Sequence, residues 1–477
     1  MKVNQSKKII AVIGGGITGL ASAFYLQKKI KEEDLPYQCI LLDSSPRLGG
    51  KIQTSFRDGF VIEKGPDSFL ASKQSPIRLA QEVGLDEELV ASKPGKSFVL
   101  IRDRLHPIPG GDKGISANIS PFITSSLFSP LGKLRAAADL ILPSNSQAED
   151  QSLGEFFRYR FGTEVLENFI EPLLSGIYTG HIERLSLQST FPQFHQIEQQ
   201  YRSLIIGMKK SSVTVEKVIG KDGFLTFKTG LQSFVEAIEK KLEPDSVIKG
   251  VKVELMDKTS GQYKICLNNN RVIMADSVII SAGHQAAYQM LDDLISVEPL
   301  KELESTSVAT VNLAFNKSAI KKDLKGSSFV VARNSDYSIT SCTLTHKKWP
   351  HAVPEGKVLL RCYVGRVGDE AIINLSDKEI SKIVLEDLNK TMSITEEPDF
   401  TIVTRWKEAM PQYKIGHKQR IQQVEDDLYN QLPGVFIAGS SYTGIGMPDC
   451  IDQAETAVKK VLNFIQKPSS QLTAAQA

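Results

Sequence analysis

Three consecutive glycines stand at residues 14–16, directly behind the apolar run KIIAVI. Glycine loses more conformational entropy on folding than any other residue and packs nothing, so three together need a backbone reason. Gly14, Gly16 and Gly19 fit the pattern G-x-G-x-x-G, with Gly15 inside it and Ile17 and Thr18 at the variable positions. In such a turn the first glycine allows a tight bend. The second lets backbone N–H groups approach a pyrophosphate, and the third lets helix and strand pack closely. The bare pattern is weak, so its surroundings must carry the reading.

Those surroundings are a βαβ opening. KIIAVI reads as a strand buried in a parallel sheet. From Thr18 to about Lys31 the pattern becomes helical, with Leu20, Phe24 and Ile30 on one side. CILLD returns as a second strand ending at Asp43, next to Ser44. An acid there suits the adenosine ribose hydroxyls, and it disfavours a 2′-phosphate, which speaks against NADP. The helix directs its positive N-terminus at the phosphates.

Further along, QSLGEFFRYRFGTEVLENFIEPLLSGIYTG is helical, opened by a Ser152/Glu155 capping box and broken at Tyr178, Thr179 and Gly180. The apolar stretch over residues 115–143 reads as an internal helical pair. Strands return from about Gly223, with DSVIISAG ending in a small-residue turn as in doubly wound sheets. SVATVNLAF, SSFVVAR and KVLLRCYVG indicate a second sheet, and GVFIAGSS leads into a final helix from GIGMPDC.

At 477 residues the chain exceeds one ordinary core, so two or three domains are expected. A net charge of +2 argues against an obligate nucleic-acid binder. The five cysteines are scattered without a C-x-x-C pair, and the seven histidines show no ligand spacing. No disulfide framework or metal site is expected, and a reducing cytosol fits. No apolar run reaches the roughly 18–20 residues of a membrane span.

The stretch SSPRLGGKIQT adds an R-x-G-G motif, Arg47-Leu48-Gly49-Gly50. With the glycine turn and Asp43 it resembles the flavoprotein superfamily of amine oxidases, carotenoid desaturases and protoporphyrinogen oxidases. The resemblance implies FAD, with Arg47, Gly49 and Gly50 flanking its pyrophosphate. Lys51 stands where relatives commonly have a second arginine, which keeps charge and loses bidentate geometry. EKGPDSF resembles the loop near the isoalloxazine, implicating Gly65, Pro66, Asp67 and Ser68. Val253 matches a strand edge that reaches the adenine, and Trp406 an aromatic beside the flavin. Ser440 replaces an acidic residue that many relatives carry. GIGMPDC resembles the segment facing the flavin pyrimidine, which implicates Ile445, Gly446, Met447 and Pro448.

Residues 152–194 narrow the resemblance to bacterial protoporphyrinogen oxidases, supported by KTGLQSFVEAIE and GHKQRI. The nearest branch is the Gram-positive one, whose members oxidise coproporphyrinogen III in haem biosynthesis. The resemblance implies an α/β fold: a discontinuous FAD-binding Rossmann-like domain, a mixed-sheet substrate domain and a mainly helical insertion. The FAD-binding segments are then 1–72, 223–300 and 401–466. Substrate segments are 73–93, 196–222 and 301–400, the insertion is 94–195, and 467–477 is a frayed tail. The implied enzyme is an oxygen-using CH–CH oxidoreductase. It removes six electrons in three rounds of hydride transfer to flavin N5, releases hydrogen peroxide, and also accepts protoporphyrinogen IX. No protein nucleophile or metal is needed, because the cofactor carries the difficult step.

Substrate propionates call for cations above an apolar floor. Lys73, just beyond the GPDSF loop, is the first candidate. Arg361 and Tyr363 share a strand face, and Ile177 offers an apolar contact. Expected partners are the porphyrinogen, O2 and a downstream haem-pathway enzyme taking the product. A cytoplasmic monomer or homodimer with at most peripheral membrane contact is expected, and no nucleic acid. Two alternatives stand: an amine oxidase or carotenoid desaturase, and a flavin-free prenyl-binding escort.

Overall fold

The computed structural model describes residues 7–109, 120–144, 150–210 and 223–466. The expected frayed tail lies outside them. Two sheets organise the molecule. The first has five strands in the order Val247–Lys249, Tyr37–Asp43, Lys8–Ile13, Ser277–Ile280 and Val435–Ile437, all paired in parallel. Its central strands are apolar on both sides because both faces are covered. Ile10 and Val12 face the helices Ile17–Glu32 and Met447–Ile465, while Ala11 and Ile13 face an antiparallel meander over residues 253–275. The strands come from distant parts of the chain, so this domain is discontinuous.

The second sheet has seven strands, in the order Phe400–Gln412, Glu304–Asn316, Lys357–Val364, Ile339–Leu344, Ser328–Val331, Ser97–Ile101 and Arg104–Pro107. Only Ser328–Val331 and Ser97–Ile101 run parallel. Strand alternation splits its side chains. Val311, Leu313, Leu360, Cys362 and Phe329 pack under the helix Asp377–Met392, and Thr310, Asn312, Arg361, Tyr363 and Ser328 take the other face.

A helical unit packs around Phe156, Phe157, Phe169, Leu174 and Phe194. The capping box forms: Ser152 Oγ accepts from Glu155 N–H at 3.0 Å, and Glu155 accepts from Ser152 N–H at 3.4 Å. Thr179, at φ +51°, ends the helix Glu171–Tyr178.

Several expected boundaries move. The strands Ser97–Ile101 and Arg104–Pro107 fall inside the expected insertion but extend the seven-stranded sheet. Helical packing runs on past residue 195 to the helix Leu204–Lys210, with Ile197 and Leu204 in the same core. The helix Gln74–Val83, assigned to the substrate domain, buries Leu79, Ala80 and Val83 in the core beneath the parallel sheet. The strand Phe400–Gln412 joins the seven-stranded sheet, so that segment ends near Gln412. An apolar pattern reports which residues are buried and is silent on which core receives them.

The 115–143 stretch also differs from an internal pair. The helix Pro130–Ala137 turns Leu131 (78% exposed) and Leu134 (71%) outward, and Ile141 (77%) follows them. Residues 115–119 lie outside the described ones.

Beneath that helix, Arg160 is fully buried between Asp139, at 3.4 Å, and Glu198. Removing the cation leaves two carboxylates buried against each other. Arg160→Met should therefore cost about 3–5 kcal/mol, read from denaturant unfolding. A change under about 1 kcal/mol would show that the cluster is solvated.

Candidate functional site

The first strand ends at Ile13, and Gly14 turns the chain at φ +108° while donating its N–H to Leu42 O at 2.7 Å. A side chain at Gly19 would strike the Gly14 carbonyl, so the helix sits directly on the turn. Gly16 is different. A Cβ there would meet nothing within 4 Å, leaving an open cradle at the helix start. The helix Ile17–Glu32 has Gly16 as N-cap, no side-chain cap and no acid in its first turn. Its first amides are available to an anion. Asp43 braces this turn: one oxygen accepts the Gly15 N–H, and the other accepts the Ser45 N–H at 2.6 Å. Ser44 is exposed beside it, and Val251 donates to the Asp43 carbonyl at 2.9 Å, two residues before the buried Val253.

The second glycine loop closes on the first through Gly49 N–H to Gly15 O at 2.7 Å. Arg47 holds that loop from within. Its Nη1 donates to Leu48 O, Ile52 O and Gln232 Oε1 at 2.8, 2.7 and 3.0 Å, and its Nη2 to Gly50 O at 2.7 Å. The guanidinium is thus engaged with the carbonyls that shape Gly49 and Gly50. Lys51 Nζ reaches Ala409 O at 2.5 Å and Ser440 Oγ at 3.2 Å, and burial lowers its pKa. Ser440 thus receives the Lys51 ammonium.

The GPDS loop is gripped by the seven-stranded sheet. Asn312 Nδ2 donates to Glu63 O at 3.3 Å. Thr310 Oγ1 and Trp406 Nε1 share Lys64 O at 2.7 and 2.9 Å, and Arg361 donates to Gly65 O. Gly65 must be glycine, because a Cβ would collide with the Lys51 carbonyl. Pro66 leads into Asp67, whose Oδ2 lies 3.1 Å from Lys348 Nζ, 3.2 Å from Trp349 Nε1 and 3.6 Å from Arg361 Nη1. Burial alone would raise this carboxyl, but Lys348 and Arg361 outweigh it and hold it well below the usual range. Ser68 donates to its other oxygen at 2.8 Å.

A third set of contacts shapes the C-terminal segment. Tyr413 OH donates to Ser440 O at 2.8 Å, and His417 Nε2 to Tyr442 O at 2.7 Å. Gln453 accepts the Gly439 N–H at 2.9 Å and donates to Thr443 O. The buried Thr18 contacts Cys450 of the final helix. That helix, Met447–Ile465, starts behind Gly446 without a side-chain cap and carries Pro448 in its first turn. Two uncapped helix starts, the Gly16 cradle and a carboxylate at Asp43 fit a flavin dinucleotide.

Beside this assembly lies a cavity of about 1620 Å³, reached by Ser68, Lys73, Ile177 and the run Ile445–Pro448. Lys73 pairs with Asp449 at 3.1 Å, and Ile177 is 38% exposed at the wall. Arg361 and Tyr363 do share a face, 4.8 Å from guanidinium carbon to ring, but neither lines this cavity. Arg361, only 3% exposed, anchors the loop and is no part of the pocket wall.

Sequence reasoning missed Thr310, Asn312, Lys348, Tyr413 and Gln453, and it set His417 aside as structural. Thr310 and Asn312 left a signal, as two polar residues at alternate positions of the apolar run SVATVNLAF. Gln453 and Tyr413 act on carbonyls distant along the chain or in a loop, so no spacing betrays them.

Comparison with known proteins adds an independent line. The chain matches the family described as flavin containing amine oxidoreductase over residues 17–462. It is 52% identical to the coproporphyrinogen III oxidase of Bacillus subtilis (strain 168), over 97% of this chain and 100% of that one. The Staphylococcus aureus coproporphyrinogen III oxidase is 42% identical, over 95% and 99%. Among solved structures, a protein assigned as a protoporphyrinogen oxidase from Exiguobacterium sp. 255-15 superposes at a TM-score of 0.85. It is 36% identical, with 96% of this chain and 99% of that one covered.

His417 gives the site a pH dependence. Burial lowers its pKa to about 4, so it stays neutral in the fold while an unfolded histidine takes a proton near pH 6.5. Full stability is present above pH 6.5 and falls as pH drops toward 4, by about 3 kcal/mol. His417→Gln keeps an N–H donor and should lose that slope. Unfolding midpoints at pH 7, 5.5 and 4.5 test this, and parallel curves for both proteins would refute it.

Proposed function

The chain belongs to the flavin containing amine oxidoreductase family, in its coproporphyrinogen III oxidase branch, and from that premise we propose that it oxidises coproporphyrinogen III to coproporphyrin III with FAD and oxygen. The observation that carries this reading is the position of the large cavity. It opens against the GPDS loop and the uncapped start of the final helix, the two segments expected at the flavin ring. Its volume of about 1620 Å³ exceeds the roughly 300–1,000 Å³ of ordinary small-ligand pockets and suits a macrocycle. Protoporphyrinogen IX is a second substrate on this reading.

FAD, when bound, supplies a two-electron acceptor that oxygen regenerates with release of hydrogen peroxide, so aromatisation takes three rounds. The protein's own work is positional. The amides behind Gly16 would receive the pyrophosphate, Asp43 the ribose, and Val253 would border the adenine. Arg47 and Lys51 keep the second glycine loop in shape beside them. Arg361, Trp406 and Thr310 hold the GPDS loop against the ring position. The start of the final helix would favour negative charge at the flavin ring position. Lys73 has donors left beyond its bond to Asp449 and receives a substrate propionate.

The rival readings, an amine oxidase or carotenoid desaturase, lack relatives of comparable identity among those described above. Purified protein should be yellow and should convert coproporphyrinogen III to a fluorescent porphyrin while consuming oxygen. Lys73→Ala should raise KM severalfold with a smaller effect on kcat. Flavin-loaded protein that leaves porphyrinogen untouched would overturn the reading.

We further propose that the enzyme is cytoplasmic and touches membranes through its helical unit, where product passes to the next haem-pathway enzyme. No helix among the described residues is long and apolar enough to cross a membrane. The outward Leu131, Leu134 and Ile141 lie beside Lys133 and Arg135, which suits an anionic bilayer surface. Co-sedimentation with phosphatidylserine vesicles should fall at least fivefold in a Leu131→Glu/Leu134→Glu variant. Unchanged sedimentation would remove the proposal.

A further inference from the structure

The register of the seven-stranded sheet lines up polar side chains across its inner face. Ser97 lies opposite Ser328, Ser328 opposite Thr343, Thr343 opposite Arg361, and Arg361 opposite Asn312. The neighbouring row contains Ser341, opposite Tyr363 on one side and Val330 on the other. Arg361 and Asn312 are used on the Glu63–Gly65 carbonyls. The other end of the stripe has a different fate. Ser97, Ser328, Ser341 and Thr343 line the large cavity.

The face behind these residues is ordinary core, with Phe329, Cys342 and Leu344 under a helix. Strands facing an apolar pocket would normally present β-branched aliphatics, so hydroxyls there need polar partners. Ser97 and Ser328 bond each other at 2.9 Å, which occupies one O–H donor and leaves the second hydroxyl hydrogen available. Ser341 and Thr343 have no side-chain hydrogen bond to another described residue. Lys93 lines the same cavity, is exposed, and forms no ion pair among the described residues. Lys348, by contrast, is committed to Asp67, while the exposed Lys73 makes one contact, to Asp449, and keeps donors free. The cavity therefore has two polar ends: Lys73 beside the final helix, and the hydroxyl row with Lys93 at the sheet edge.

We propose that Ser97, Ser328, Ser341, Thr343 and Lys93 form a second carboxylate subsite that selects a tetracarboxylate macrocycle over a dicarboxylate one. The inference rests on the porphyrinogen reading and deepens it. Coproporphyrinogen III carries a propionate on every pyrrole, so its carboxylates reach both ends of the cavity. Protoporphyrinogen IX has vinyl groups on two pyrroles, which satisfy no hydroxyl donors. Hydroxyls facing those vinyls stay unpaired, and a buried unpaired polar group is costly.

The test uses FAD-loaded protein and two fluorescent product probes, coproporphyrin III and protoporphyrin IX, titrated against Ser97→Ala/Ser328→Ala and Thr343→Val. Coproporphyrin III binding should weaken roughly ten- to a hundredfold in the double variant, while protoporphyrin IX binding holds or tightens as the unpaired hydroxyls are removed. Thr343→Val keeps shape and strand propensity, so it tests the row if the double variant fails to fold. Equal losses for both probes, or no loss for either, overturn the subsite. Wild type that turns over coproporphyrinogen III while the variants keep its full preference for coproporphyrin III sinks only this inference. Wild type inert toward coproporphyrinogen III sinks the functional reading beneath it.

Discussion

Close approach of backbone to backbone is the constraint on which the site depends. Gly49 bonds Gly15 directly, Gly19 rides on the Gly14 carbonyl, and Gly65 leaves no room between its α-carbon and the Lys51 carbonyl. At each meeting a single Cβ would force the segments apart. Because no side chains intervene, three distant stretches of chain converge and leave Gly16 facing open space. An uncapped helix start lies behind it, and a carboxylate beside it. The geometry proposed for a pyrophosphate is thus an absence of side chains held rigid from outside.

The rigidity comes largely from charged and polar groups acting on carbonyls. Arg47 is engaged by carbonyls of its own loop, and Lys51 ties that loop to Ala409 and Ser440. Arg361, Trp406, Thr310 and Asn312 hold three successive carbonyls from three strands of the second sheet. Tyr413 and His417 do the same for the C-terminal segment. Each such bond satisfies a loop carbonyl and specifies one arrangement, while Arg361 Nε, Asn312 Oδ1 and His417 Nδ1 have no partner among the described residues. The two sheets are therefore coupled through the loops that would touch the flavin. The second sheet supplies both the grip on one loop and a wall of the large cavity.

Legibility varied with the kind of interaction. The βαβ opening, the capping box and the final helix follow local rules of period, cap and turn, and they form where the residues place them. Domain edges did not follow. Ser97–Ile101 fell in the expected helical insertion and most of Phe400–Gln412 in an expected FAD-binding segment, yet both pair into one sheet with strands far along the chain. Arg361 read as a pocket residue from its strand face; the register beside Asn312 turns it to a backbone carbonyl instead. Leu131 and Leu134 read as core because they are apolar, and the fold leaves them in solvent.

By itself the sequence determined the glycine turn and its open helix start, because a turn between an apolar strand and a helix is a short-range object. It also determined the helical segment that narrowed the family. Tertiary structure alone decided which cations face the cavity and which are consumed by the scaffold. That choice depends on strand register and on carbonyls hundreds of residues away. Lys73 and Lys348 carry the same charge, but only the second is locked between Asp67 and Ser68. A charge's role depends on the nearest competing partner, and that partner is fixed only when the chain has folded.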